Sequence, residues 1–366
     1  MQLDRLLAFL DQDPGNLSLI AEAATAALDA NRLDVVGDLV SRYEAHAIAP
    51  APLLNLAGLA ALRNGQLDDA ALRFEAALAQ DPRQPECRFN LAWTRSILGD
   101  WAAVANLVDD AVVTAAPRAG ALRVQALHQI GDPEDALAYG LGLVEHHPDD
   151  VDLMASLAVA AMDAEDVVLA RRFAERARST HEGLATLGLL ELADDDMAAA
   201  LELFDQAITV RHDSGRALLG KGLALLPTDA PQAAALLDRS AAVFGDHLGS
   251  WVASGWAWFA AGDLAQARVR FDRALQLDET FAEAHGALAA IDVVEGEVAR
   301  ARRGAEVALR LDRACLSGAL AKVMLLNLDG DHQSATRLQE VALNVPIGPN
   351  GQTLAQAIRT SATRRH

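Results

Sequence analysis

The sequence predicts an all-α chain of about ten stacked helix-turn-helix units with a capping helix at each end, and three observations lead there. The 366 residues are 52% hydrophobic but only 4% aromatic, with 12 prolines, so most of the apolar content is Ala, Leu and Val. Ala and Leu lose little entropy in a helix, and strand formers are scarce. Turn residues also recur at a nearly fixed interval. Gly65, Gly99 and Gly131 are separated by 34 and 32 residues, and Gly262, Gly296 and Gly330 by 34 and 34. Asn31 lies 34 before Gly65, Glu165 lies 34 after Gly131, and Asp195 and Thr228 follow at 30 and 33. Finally, apolar or small residues recur before and after each turn with the i, i+3/i+4, i+7 spacing of an amphipathic helix.

In chain order, Leu3–Leu10 followed by Asp13 and Pro14 reads as a capping helix within residues 1–16. Repeats then start near 17, 51, 85, 117, 151, 181, 214, 248, 282 and 316, filling residues 17–347. The unit at 51–84 shows Leu54, Gly58, Ala61, the Gly65 turn, Ala70, Phe74, Ala77 and Pro82. The unit at 248–281 shows Trp251, Gly255, Trp258, Gly262-Asp263, Ala267, Phe271 and Ala274. In each, a first helix, a tight turn and a second helix alternate, with small residues letting the axes approach. The pattern is irregular over 181–247, where first helices are shorter and Pro227 and Pro231 crowd the turn; the junction of the sixth and seventh repeats is the expected soft point. Gly348-Pro349-Asn350-Gly351 reads as a turn, and Thr353–Ser361 as a final helix within a capping segment and tail over 348–366. Stacked repeats need such ends, because an uncovered terminal stripe would aggregate.

These units resemble tetratricopeptide repeats. Gly255, Ala267, Phe271 and Ala274 match the small, small, aromatic and small positions of that family, and Pro82 and Pro148 its closing proline. The resemblance implies a right-handed α-solenoid, or superhelix. It also implies that any ligand lies on the concave surface, lined by the first helix of each repeat. Two subtypes do not fit. Ala21, Thr25, Asn55, Leu59, Phe89 and Trp93 occupy the stripe where carboxylate-clamping members carry Lys, Asn and Arg, so only Asn55 is compatible. Peptide-sensing regulators of the family begin with a DNA-binding helix-turn-helix, and only a short cap precedes the first repeat here.

Charge narrows the partners. Lys plus Arg number 31 against 51 Asp plus Glu, a net charge of −20, and only Lys221 and Lys322 are lysines. Phosphate binding needs clustered positive charge, so nucleic acid is not an expected partner. Residues 1–200 carry 14 basic and 32 acidic side chains (net −18), and residues 201–366 carry 17 and 19 (net −2). The acidic half favours a basic partner. Cys87 and Cys315 stand alone, which leaves no disulfide framework or zinc ligand set. Met1-Gln-Leu-Asp-Arg lacks the basic start of a signal peptide, and no apolar run is long enough to span a bilayer. The expectation is a cytoplasmic chain without membrane insertion, metal or cofactor.

Several motifs read as structure rather than chemistry. Gly215–Gly222 nearly spells a phosphate-binding loop, but Gly222 replaces the magnesium-holding hydroxyl and the segment falls inside a first helix. His146-His147-Pro148-Asp149-Asp150 and Asp152, like Asp194-Asp195-Asp196, lie at helix junctions, where caps and helix dipoles account for them. Arg268, Arg270, Arg273, Arg300, Arg302, Arg303 and Arg310 fall on second helices, with acids four residues on, as in Arg268–Asp272 and Arg302–Glu306. No set of nucleophile, base and acid converges, so the chain is not expected to be an enzyme.

One stripe is more informative. Repeat positions 2, 5, 9 and 12 of the first helices should be polar on a free-standing helix. Instead they hold Phe89 and Trp93, Val159 and Met162, Leu189 and Leu192, Leu218 and Leu225, Val252, Trp256 and Phe259, then Leu320 and Met324. Polar members are few: Asn55, Gln125, His128 and Asn327, with Glu86, Asp152, Glu182 and Glu283 at the rim. The aliphatic members read as packing between repeats. The aromatic bulk of Trp93, Trp256 and Phe259 reads as anchors for an extended or helical peptide, which the amides orient. The expected function is a non-enzymatic scaffold for another protein or peptide, or for a further copy of the chain. The alternatives are a chaperone or adaptor for a secreted or assembling client, and an accessory subunit of a peptide-modifying enzyme.

Overall fold

The computed structural model describes residues 2–131 and 133–344, and all regular structure among them is helical. The chain divides into two compact units, Met1–Ala177 and Arg178–His366.

The N-terminal unit opens with α1 (Gln2–Gln12), which buries Leu3, Leu6 and Leu10 against the first pair. Antiparallel pairs follow: α2 (Leu17–Asp29) with α3 (Leu33–Glu44), and α4 (Ala51–Arg63) with α5 (Leu67–Gln80). Next come α6 (Pro85–Ile97), the broken pair α7 (Trp101–Leu107) and α8 (Asp110–Ala115), and α9 (Ala119–Gln129) with α10 (Pro133–Val144). The pair α11 (Val151–Asp163) and α12 (Val167–Arg176) completes it. The C-terminal unit pairs α13 (His181–Ala193) with α14 (Met197–Val210), and α15 (Gly215–Leu225) with α16 (Ala230–Phe244). It continues through α17 (Leu248–Ala260) and α18 (Leu264–Leu277), then α19 (Ala282–Val294) and α20 (Val298–Leu311). It ends on α21 (Leu316–Leu328) and α22 (His332–Leu343). The turn at 348–351 and the helix expected over Thr353–Ser361 lie outside the described residues.

The turns explain the period. Nine of the ten turn residues named above have positive φ: six glycines, and Asn31, Glu165 and Asp195 at 55°, 60° and 68°. Each places a left-handed residue just past a first helix, and after all of them but Gly131, whose next residue lies outside the described ones, the following N–H reaches back five residues. Examples are Gln66 to Ala61 O (2.9 Å) and Asp263 to Trp258 O (3.0 Å). That following residue then starts the second helix. Asp100, Asp166, Asp196, Asp263 and Asp331 each accept the N–H three residues on, so one aspartate closes one helix and caps the next. Thr228 departs from the pattern. Pro227 has no N–H to donate, and the chain turns instead through Asp229 N to Leu225 O (2.8 Å) without a left-handed residue. A β-carbon in the left-handed region costs about 1–2 kcal/mol, partly offset by the greater entropy glycine loses on folding. Glu165→Gly is therefore expected to stabilise the N-terminal unit by about 0.5–1 kcal/mol, read as a rise in the urea midpoint at unchanged slope.

Glycines inside the first helices serve a different end. A β-carbon on Gly58, Gly188 or Gly255 would sit 2.6, 2.6 or 2.4 Å from the rings of Phe74, Phe204 and Phe271. Those rings are fully buried, one per second helix. The small residue in the first helix and the aromatic in the second are thus one packing unit.

The third repeat breaks the rule. Its second helix is interrupted at Val108, which is extended (φ −96°, ψ 98°). Asp109 there caps α8 through Val112 N (3.0 Å) and pairs with Arg88 (2.7 Å).

Candidate functional site

In the N-terminal unit the first-helix stripe is built on α6. Phe89, Trp93 and Ile97 are spaced by four residues and so share one face, while Cys87, Leu91, Ala92 and Thr94 are buried. Phe89 is half-buried against the core of its own repeat. Trp93 is 48% exposed and Ile97 51%, and the Phe89 and Trp93 rings stand 6.4 Å apart. Two polar members of the stripe, Asn55 and His128, bridge neighbouring repeats. Asn90 Nδ2 donates to Asn55 Oδ1 (3.1 Å), and His128 Nε2 lies 2.7 Å from Asp163 Oδ2, both links spanning 35 residues. Gln125 is exposed.

In the C-terminal unit the same stripe is largely consumed by packing. Trp256 meets Phe271 edge-on with ring centroids 5.4 Å apart, and Phe259 lies 5.2 Å from Trp256. Both rings are half-buried and pack against a cluster that joins Ala267 and Phe271 of α18 to Ala287 and Ile291 of α19. Leu218 is buried, and Met324 packs on Ala301, Ala321 and Leu325. Asn327 is exposed, with Oδ1 3.1 Å from His332 Nδ1. Glu283 is not a free rim acid, because its carboxylate accepts Leu316 N (2.7 Å) and Ser317 N (3.0 Å) and so caps α21.

The arginines of α18 and α20 also differ from expectation. Their carboxylate partners lie on other helices or in the next turn rather than four residues on. Arg268 and Arg300 both donate to Asp292 Oδ1 at 2.7 Å, and Arg302 pairs with Asp329 at 2.6 Å. Burial pushes the Asp292 carboxyl up, but the hydrogen bonds from Arg300 and Arg268 outweigh it and hold the group below its ordinary range. Asp238 follows the same logic: burial opposes ionisation, and Arg270, Ser254 and Trp258 overcome it. Sequence reasoning missed both acids as hubs, Asp292 buried and Asp238 half-buried. The available signal was an aspartate on the apolar side of a helix, at 292 between Ile291 and Val293.

Burial pushes the Cys87 thiol up to about 11 and the Cys315 thiol up to about 12, which keeps both protonated at neutral pH. Among the described residues no three His, Cys, Asp or Glu side chains gather as metal ligands. Asp150 caps α11 through Leu153 N (3.0 Å). In α15, a β-carbon on Gly220 would meet Phe204 at 2.2 Å and one on Gly222 would meet Leu237 at 2.8 Å, so these glycines belong to helix packing. No described helix is long and apolar enough to cross a membrane.

Comparison with known proteins agrees with this architecture. Residues 55–120 match a family model described as tetratricopeptide repeat. The crystal structure of the APC/C hetero-tetramer Cut9-Hcn1 contains a similar chain, 13% identical, with a TM-score of 0.57 over 90% of this chain and 74% of that one. A crystal structure of MamA aligns over 42% of this chain and 92% of that one, at 18% identity and a TM-score of 0.33. No curated protein matches the sequence. At 13% identity the likeness to the chain of the Cut9-Hcn1 structure is one of fold.

Proposed function

We propose that this tetratricopeptide-repeat chain is a non-enzymatic scaffold that holds a segment of another protein on the first-helix face of its N-terminal unit, with Trp93 as the central anchor. The observation that carries the reading is the exposure of that ring. An indole is costly to leave in water, and here a second aromatic and an isoleucine at helical spacing extend it into a ridge. Exposed Gln125 on the same stripe offers an amide for orientation. The unit is strongly acidic, with 13 basic against 27 acidic residues over 1–177, a net charge of −14. That field would draw in a basic segment and repel an acidic one. Anchoring by a buried aromatic inside a polar rim is the usual arrangement of a binding hot spot.

The test is Trp93→Ala in the full chain, with the captured partner compared between variant and wild type. Loss of at least tenfold in partner affinity, at a melting temperature within about 2 °C of wild type, is the expected result for a mostly exposed hot-spot side chain. Undiminished affinity of the variant for the same partner overturns the assignment.

A further inference from the structure

A second surface lies in the C-terminal unit, formed by residues of α16, α17 and α18, and shares no residue with the Trp93 ridge. An open recess of about 450 Å³ is lined by Asp238 of α16, Trp251 of α17, and Val269, Arg270, Arg273 and Gln276 of α18. Its apolar lining comes from Trp251, the 57% exposed Val269 and the stems of the two arginines. The ring is fixed in place, because Trp251 Nε1 donates to Gly245 O (2.6 Å).

The charges in the recess are unevenly satisfied. Asp238 is saturated by Arg270 Nε (2.9 Å), Trp258 Nε1 (3.0 Å) and the Ser254 hydroxyl, and Arg270 is held in return. Arg273 is different. Its guanidinium lies 6.0 Å from the centre of the Trp251 ring and reaches Gln276 Oε1 at 3.5 Å, with no carboxylate partner among the described residues. Arg268 and Arg270 on the same helix both have one. Asp272 precedes Arg273 but points about 100° away around the helix. The recess therefore carries one uncompensated positive charge, Arg270 and Arg273 against Asp238, on the exposed Arg273 guanidinium beside the Trp251 ring. A planar fork in that state is suited to a carboxylate.

We propose that this recess binds a partner segment presenting one large apolar side chain beside one carboxylate, the apolar group against Trp251 and Val269 and the carboxylate on Arg273. A single carboxylate is specified because the chain's net charge of −20 repels a highly acidic segment from a distance.

The probe is the C-terminally amidated peptide SGLFDGS-NH2 carrying an uncharged BODIPY label on its N-terminus, so that Asp is its one carboxylate, compared with its Asp-to-Asn form and with a form in which Leu-Phe becomes Ala-Ala. Binding to the full-length chain is followed by anisotropy. The Leu-Phe-Asp peptide is expected to bind at least tenfold more tightly than either control. Arg273→Gln should remove the difference between the Asp and Asn peptides, and Val269→Glu should weaken the Asp peptide at least tenfold. Trp93→Ala should leave all three affinities unchanged, which separates this site from the ridge on α6. No binding of the Leu-Phe-Asp peptide at millimolar concentration, or equal affinity for wild type and Arg273→Gln, overturns the proposal. Self-association of the wild-type chain that Arg273→Gln abolishes would overturn it too, by placing a second copy in the recess.

Discussion

Gly286→Ala is expected to destabilise the C-terminal unit by about 3 kcal/mol or more, the upper part of the range for overpacking. The added β-carbon would fall 2.2 Å from Gly318 N, 2.5 Å from Ser317 C and 2.8 Å from Gly318 Cα. These are backbone atoms of α21, so no rotamer change can clear the space. That separates Gly286 from Gly255, whose obstacle is the Phe271 ring, and from Gly249, whose nearest neighbour is the His247 side chain at 3.0 Å. To admit a methyl group, α19 and α21 must move apart. The same movement would pull Leu316 N and Ser317 N from the Glu283 carboxylate that caps α21. In a repeat stack each unit contacts only its neighbours, so the loss should stay local. Hydrogen exchange should show lost protection in α19–α22 and little change in α13–α16. Uniform loss across the unit, or a stability within about 0.5 kcal/mol of wild type, would contradict the close approach as the reason for glycine.

Most of the fold was legible in the sequence because its signal is local and repeated. A left-handed turn residue, an aspartate one place on and a small residue facing an aromatic recur every 30–34 residues, and the first-helix starts read from them agree with the structure to within about two residues. The interruption of the third repeat was not read, although the Asp109-Asp110 pair inside an apolar stretch is a helix-start signal. The surface was harder. Trp93 and Trp256 occupy the same repeat position, and sequence pattern alone gives them the same role. Their environments differ because Phe271 and Ile291 close over the second, whereas Trp93 remains open along its ridge. The partners of Asp292 and Asp238 come from separate helices, which pattern within one helix cannot supply.

That divergence between two equivalent tryptophans yields the other large expected effect. Trp256→Ala should cost about 2–3 kcal/mol, below the 3–5 kcal/mol typical of fully buried aromatics because the ring is only partly buried. It removes an edge-on contact to Phe271 and a wall of the cluster formed with Ala287 and Ile291. Trp256→Phe should recover most of the loss, since an aromatic edge would still reach Phe271. Trp93→Ala removes a ring that is 48% exposed and should change stability by no more than about 1 kcal/mol. Urea unfolding of the three variants measures these differences, and partner affinity is read on the same proteins. If Trp93→Ala impairs binding at native stability while Trp256→Phe binds as wild type, recognition belongs to the α6 ridge and packing to α17. If instead Trp256→Phe keeps its stability but loses the partner, the indole of α17 is itself a contact, and the first-helix face of the C-terminal unit must be counted as a binding surface despite its packing.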